Sequence, residues 1–384
     1  MMDFNSQNSP ASNSDRKIRY AVVGLGAFAQ ASALPAFSRA DNTELVALVS
    51  DDPTKRSELS QAYEIQQTYS YAEYDEFLRS GKVDAVYIAL PNHLHAEYTI
   101  RAAQAGIHIL CEKPMAVTVK ECEEMIKAAQ DNSVKLMIAY RLHFEEANLA
   151  AVEIVRSGQI GEPRIFNSVF TQQTVAGNIR VKEETGGGTL NDIGIYCINA
   201  ARYLFQDEPI AVFATAANNG EPRFQEIDEM TSVILRFPKE RLATFTCSFG
   251  AAKVSSYQVV GTKGSLKVEQ AYAMKGDITH TLTIDGEVQE RTFADHDQLA
   301  AEFVYFSDCI LQNKNIEPSG QEGLIDVQII KALEESLTSG GFVQIEQIEK
   351  LDRNQRPTTT QNINLPAIEH QPELIHAVPP SGKS

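Results

Sequence analysis

Cysteine is scarce in this chain of 384 residues, and nothing pairs what there is. Cys111, Cys122, Cys197, Cys247 and Cys309 are odd in number, scattered, and free of any Cys-x-x-Cys spacing. A disulfide framework and a zinc knuckle are both excluded, and reduced thiols in a cytoplasmic protein are expected. Basic residues are also short: 34 Lys and Arg stand against 51 Asp and Glu, a formal net charge of −17. A phosphodiester backbone or an anionic bilayer calls for a basic surface, so nucleic acid and membrane are set aside as partners. No run approaches the ~18 apolar residues of a spanning helix. The polar, acid-containing N-terminus lacks the apolar centre of an export signal.

What is present points to two domains, because a chain of this length exceeds one ordinary core. Residues 1–16, rich in Ser, Asn and Pro, read as a flexible arm. From Lys17 to His143, short apolar runs at 18–23, 45–49, 85–89, 107–111 and 136–139 alternate with helical patterns such as 53–63 and 96–105. That alternation predicts an α/β domain, a doubly wound parallel Rossmann sheet with right-handed crossovers. Over 144–350 the texture becomes α+β. Strand-like runs at 164–174, 210–216, 231–237, 242–249, 255–260 and 265–268 imply a mainly antiparallel sheet, with helices at 189–204, 298–311 and 324–337. From Leu351 onward five prolines break any periodicity, and a disordered tail is expected to Ser384.

The first strand ends in Gly24-Leu25-Gly26-Ala27-Phe28-Ala29, and a helix follows. In that setting a GxGxxA pattern means dinucleotide binding. Gly24 allows the tight turn, Gly26 lets backbone amides approach a pyrophosphate together with Ala27 and Phe28, and the helix N-terminus favours its charge. An NAD site places an acid about 20 residues on. Here that strand end carries Ser50, with Lys55 and Arg56 nearby, while Asp51 and Asp52 suit turn and cap roles around Pro53. The pattern favours NADP, with NAD as the alternative. After the 85–89 strand, Leu90-Pro91-Asn92-His93-Leu94-His95 sits at the carboxyl edge of the sheet, where Asn92 and His95 are candidates for the nicotinamide ribose. His93-x-His95 has no third partner at metal-ligand spacing, so no metal is expected.

Two further segments carry chemistry. Gly186-Gly187-Gly188 feeds a helix in which Asp192 and Tyr196, four residues apart, share one face. Glu112-Lys113-Pro114 places a lysine at a strand end. Oxidising a hydroxyl to a carbonyl needs a base for the proton. Tyr196 is the candidate; a phenol titrates near 10, so Lys113 is expected beside it to ease ionisation and polarise the carbonyl, with Asp192 orienting the pair or the substrate. Each residue alone has a plainer role in packing, dipole compensation or solvation.

With GxGxxA, Pro91-Asn92-x-x-His95, Glu112-Lys113-Pro114 and the glycine-rich Asp192-x-x-x-Tyr196 segment in this order, the chain from about Lys17 to Gln347 resembles the glucose–fructose oxidoreductase/inositol dehydrogenase/MocA family. Tyrosine at 196, where many relatives have histidine, together with Tyr140-Arg141-Leu142-His143 and Arg223-Phe224-Gln225-Glu226, looks like the glucose–fructose oxidoreductase branch. The resemblance implies a large open C-terminal sheet that pairs subunits into a homodimer or homotetramer. It also implies sugar or polyol substrates, cofactor contacts from Leu90, Pro91, Glu112, Lys113, Tyr140 and Arg141, and substrate contacts from His143 and Arg180 beside Lys113, Asp192 and Tyr196. An aldose oxidoreductase that uses NADP to oxidise the anomeric hydroxyl to a lactone leads, with return of the hydride to a second sugar on a retained cofactor as an open extension of it. A cyclitol or diol dehydrogenase and a non-catalytic binding protein remain alternatives. Two departures stand out: there is no export signal at Met1–Arg16, and the basic segment 177–182 lacks the relative's tryptophan.

Overall fold

The computed structural model describes residues 16–346, 351, 353, 365–367 and 372–379. Six strands form the first sheet: β1 (Ile18–Val23), β2 (Thr43–Val49), β3 (Gln67–Tyr69), β4 (Ala85–Ile88), β5 (His108–Glu112) and β6 (Leu136–Ala139). Their order is β3-β2-β1-β4-β5-β6, and every pair is parallel. The strand order reverses between β1 and β4, which opens the ligand crevice of a doubly wound sheet at their carboxyl ends. β1 and β4 are apolar on both faces because helices cover both. The chain leaves β1 through Gly24, whose φ is +95°. A Cβ there would lie 2.6 Å from the Ala89 carbonyl oxygen, so only glycine fits.

The second sheet comprises β7 (Pro163–Gln173), β8 (Ala211–Ala217), β9 (Met230–Phe237), β10 (Arg241–Ser248), β11 (Gly250–Gly261), β12 (Gly264–Glu269), β13 (Ile278–Ile284), β14 (Glu287–Phe293) and β15 (Val343–Gln344). Its order is β14-β13-β12-β11-β7-β10-β9-β8-β15, and only β7 and β10 run parallel. β9 alternates buried and less buried residues along its length, the mark of a sheet with one covered face. The hairpin β13–β14 was not expected from the sequence; β14 is the polar edge strand EVQERTF, with only its last residue buried.

The division between domains is not sequential. The helix Gln298–Leu311 follows the second sheet in the chain but packs on the first. Phe303 stacks on Phe37 with ring centroids 4.2 Å apart, and Ser307 Oγ lies 2.9 Å from the Tyr20 hydroxyl. A domain boundary drawn once near His143 therefore misses the return of the chain.

The tail also differs from expectation where it is described. Arg353 is buried and pairs with Glu322, its Nε 2.9 Å from Oε1, and with Glu208. Leu365 accepts a backbone bond from Asp297 at 2.7 Å. The expected arm over residues 1–15 lies outside the described residues; Arg16 is exposed and stands 3.9 Å from Asp84.

Arg353 joins a buried network in which Arg202 Nη2 lies 2.7 Å from Glu322 Oε2 and Nη1 lies 2.6 Å from Asp326 Oδ1. Burial would raise the Glu322 carboxyl, but Arg202 and Arg353 outweigh it and hold it at about 2. A depressed folded-state pKa contributes stability above the unfolded value and loses it as pH falls toward the folded one. Replacing Glu322 by Gln should cost about 3–5 kcal/mol near neutrality, because two guanidinium groups lose a buried counter-charge. That gap should shrink on acidification through the ordinary carboxylate range. Urea midpoints of both proteins at about pH 7 and about pH 3 check it; a gap independent of pH would contradict the assigned ionisation.

Candidate active site

The nucleotide side is built at the carboxyl ends of β1, β2, β4 and β5. Gly26 has open space where its Cβ would be, so the backbone of the glycine turn can approach a pyrophosphate. At the end of β2, Asp52 caps the helix Pro53–Ala62, accepting from Thr54 N at 2.9 Å and Lys55 N at 3.1 Å. Asp51 accepts from Tyr71 N at 2.7 Å. Both acids are thus occupied as turn and cap residues. Ser50, Lys55 and Arg56 stand at the same strand end: the Ser50 hydroxyl accepts from Asp52 N at 3.2 Å, Lys55 Nζ lies 3.9 Å from Asp52 Oδ2, and the Arg56 guanidinium donates to the Ser50 carbonyl. The cradle and this donor set fit a dinucleotide with a 2′-phosphate.

The substrate side forms where β5 meets the helical segment 190–205. That segment opens with one turn of π-helix, Leu190–Gly194, and continues as the α-helix Ile195–Phe205. A wide turn at a functional position is a recurrent device. It does not part Asp192 from Tyr196, because Lys113 reaches both. Lys113 Nζ donates to the Asp192 carbonyl at 2.9 Å and lies 3.4 Å from Oδ1. The same nitrogen stands 4.8 Å from the centre of the Tyr196 ring. Arg180 closes the set, its Nε 2.7 Å from Asp192 Oδ2. Burial would raise the Asp192 carboxyl, yet Arg180 and Lys113 prevail and hold it below the usual carboxylate value. Lys113, Asp192, Tyr196 and Arg180 are therefore together, as the sequence suggested.

The cation that touches the phenol oxygen is a different one. Arg141 Nε donates to the Tyr196 hydroxyl at 3.1 Å. Its other nitrogens donate to Gln298 Oε1 at 2.6 Å, Tyr272 O at 2.7 Å and Ala273 O at 3.2 Å. Lys113 lies over the ring, not at the oxygen. Arg141, expected on the cofactor, is a buried clamp on Tyr196, a contact the sequence did not suggest, and Gln298 and Tyr272 are residues sequence reasoning missed. Their contribution is invisible locally because Gln298 is 157 residues away from Arg141 in the chain.

The other expected site residues also have partners within the protein. His95 is fully buried, with Nδ1 2.8 Å from Pro114 O and Nε2 2.9 Å from Leu90 O. Both ring nitrogens serve backbone, so it staples the two loops and does not reach a ribose. Asn92 spends its amide on Gly186 O at 2.8 Å, tying the Leu90–Pro91 loop to the glycine turn of the second domain. Glu112 takes a hydrogen bond from Tyr87 at 2.6 Å, and burial raises its carboxyl despite Lys113 and that bond. Tyr140 is buried, its ring 5.7 Å from that of His143. His143 Nε2 lies 2.7 Å from Asn199 Oδ1. Tyr140, His143, Asn199 and Tyr196 border a cavity of about 50 Å³, which is how His143 comes to share a wall with the phenol. Among the described residues no group of three or more His, Cys, Asp or Glu stands in metal-holding geometry.

The oxidoreductase family with an NAD-binding Rossmann fold, GFO/IDH/MocA, matches residues 18–140, and the GFO/IDH/MocA C-terminal domain matches residues 148–267. The D-xylose 1-dehydrogenase [NADP(+)] of Haloarcula marismortui is 33% identical over 339 residues, covering 86% of this chain and 94% of that protein. The crystal structure of an aldose-aldose oxidoreductase from Caulobacter crescentus, complexed with glycerol, superposes with a TM-score of 0.82 at 35% identity, over 86% of this chain and all of that one. A 3-ketoreductase from Actinomadura kijaniata, in complex with NADP and TDP-benzene, gives 0.77 at 25% identity, over 84% of this chain and 98% of that one.

Proposed function

Because the chain belongs to the GFO/IDH/MocA family of oxidoreductases, we propose that it is an NADP-dependent aldose oxidoreductase that oxidises the anomeric hydroxyl of a sugar. The observation that carries this reading is the phenol of Tyr196 held between Arg141 at its oxygen and Lys113 over its ring. Tyr196, as the phenolate, takes the proton of the hydroxyl being oxidised and ends the step as a neutral phenol, while Arg141 donates to that oxygen, a charge-assisted bond that favours the phenolate before transfer. Lys113 carries ammonium protons that polarise the oxygen becoming a carbonyl. Asp192, kept ionised by Arg180 and Lys113, accepts from a neighbouring sugar hydroxyl and fixes the ring. Bound NADP supplies the acceptor for the hydride.

NADP over NAD is supported by Ser50, Lys55 and Arg56 at the β2 end and by the prior engagement of Asp51 and Asp52. Ser50→Asp should lower the ratio of NADP to NAD affinity by about tenfold or more through repulsion of the 2′-phosphate. Fluorescence titration of both reduced cofactors checks it, and an unchanged ratio would move the phosphate elsewhere.

Subunit pairing through the open face of the second sheet belongs to the same proposal. Val169, Leu242 and Val254 lie exposed there, more apolar than a solvated sheet face requires. A cytoplasmic location is supported by the five cysteines, all buried and all free. No helix among the described residues is long and apolar enough to cross a membrane. The reading is tested by incubating the protein with NADP and a panel of aldoses, cyclitols and diols while following NADPH fluorescence and trapping lactones as hydroxamates. Lactone from aldoses supports it; reduction by cyclitols or diols alone would move the substrate to that class.

A further inference from the structure

The last described stretch of the C-terminal tail, residues 372–379, runs from the glycine turn of the first domain to the segment that holds Arg180. At one end, Gln30 grips the tail with both of its side-chain atoms. Its Oε1 accepts from Ile375 N at 2.7 Å and its Nε2 donates to Ile375 O at 2.9 Å. The same Nε2 lies 2.9 Å from Leu25 O, inside the glycine turn, and Gln30 is 1% exposed. A buried amide so placed pins tail to pyrophosphate loop. Ile375 is a partly buried residue packed against the hydrophobic cluster of the first sheet. One residue on, His376 Nδ1 lies 3.3 Å from Asp52 Oδ2, at the end of β2 where the adenosine ribose would sit. At the other end, Asn178 Nδ2 donates toward Val378 O at 3.4 Å and Pro379 O at 3.2 Å. Asn178 is buried, and its Oδ1 accepts from Arg180 N at 3.0 Å, the arginine that holds Asp192. Four residues of extended chain span at most about 14 Å. Ile375–Pro379 thus links the glycine turn and ribose end of the first domain to the substrate wall of the second.

We propose that residues 372–379 are the outer wall of the cofactor site: a strap over the bound dinucleotide that must lift before NADP leaves. This deepens the proposed function and rests on it. A cofactor held under a strap, with the sugar face beside Tyr196 left to exchange, is what passing hydride between two successive sugars requires. His376 further places an imidazole on Asp52, which caps the helix that carries Lys55 and Arg56, so the strap closes toward the end of β2.

Two measurements test it. In the first, a chain ending after Pro372 is compared with the full chain for NADPH release in stopped-flow fluorescence, with excess NADP as competitor. Release should be at least about tenfold faster without the strap. A rate unchanged within twofold overturns the proposal, and so does tighter binding by the truncated chain, which would mean that the tail fills the cofactor's place. In the second, hydrogen exchange is followed in the full chain with and without NADP, which decides the matter even if the truncated chain fails to fold. Amides of 373–378 should exchange more slowly with NADP bound, and identical exchange overturns the strap. Failure of the strap is separable from failure of the function: with unchanged release and intact aldose-dependent reduction only the strap falls, whereas no binding of NADP by either chain removes the function first.

Discussion

Lys113→Ala should cut aldose-dependent NADP reduction by about 10²–10⁴-fold, the usual contribution of a positioned proton-transfer or polarising group. Cofactor affinity should change by no more than a few-fold. The asymmetry follows from what Lys113 touches: the Asp192 carbonyl and carboxylate and the face of Tyr196, all on the substrate side. Without it Asp192 keeps Arg180 as a counter-ion, so the fold should tolerate the change and the urea midpoint should hardly move. Single-turnover reduction by a saturating aldose checks the prediction. A wild-type rate would remove Lys113 from the chemistry; loss of NADP binding would place it on the cofactor instead.

Tyr196→Phe is the sharper substitution. The ring remains between Lys113 and Arg141, with guanidinium carbon and ammonium nitrogen 4.9 and 4.8 Å from its centre, and keeps its edge contact with Phe170 at 5.7 Å. Only the oxygen disappears. Turnover should fall by about 10²–10⁴-fold with KM for sugar within a few-fold, because the proton acceptor is lost and the binding surface is not. A stability loss of about 1–3 kcal/mol should accompany it, since buried Arg141 Nε loses its acceptor. Rates near wild type with an ordinary KM would assign the base elsewhere, and Asp192 would be the next residue to replace.

The parallel sheet was readable because its strands are apolar on both faces and punctuated by turns, and the glycine motif sat between a strand and a helix. Strands of the second sheet were readable where one face is covered, as in β9, and unreadable at the polar edge β14, where no hydrophobic period exists to find. At the site, Lys113, Asp192, Arg180 and Tyr196 could be assembled from local spacing plus family resemblance. Arg141 was singled out, but its contact with Tyr196 was not foreseen, for its other partners Tyr272, Ala273 and Gln298 lie at least 131 residues further along the chain. His95 illustrates the same limit: a histidine at the carboxyl edge of a sheet invites a ligand role, and only tertiary geometry shows its two nitrogens spent on Pro114 and Leu90. The tail was read as featureless because its prolines erase periodicity. At Ile375, Val378 and Pro379 its contacts use backbone groups gripped by Gln30 and Asn178, which leave no pattern in the tail's own sequence.

The most direct test of hydride transfer from the anomeric carbon uses an aldose deuterated at that carbon. Incubated with the enzyme and NADP, it should yield singly deuterated NADPH, one mass unit heavier, with a primary isotope effect on the reduction step that Tyr196→Phe slows in parallel for both isotopes. NADPH without deuterium, formed at equal rates from labelled and unlabelled sugar, would contradict it.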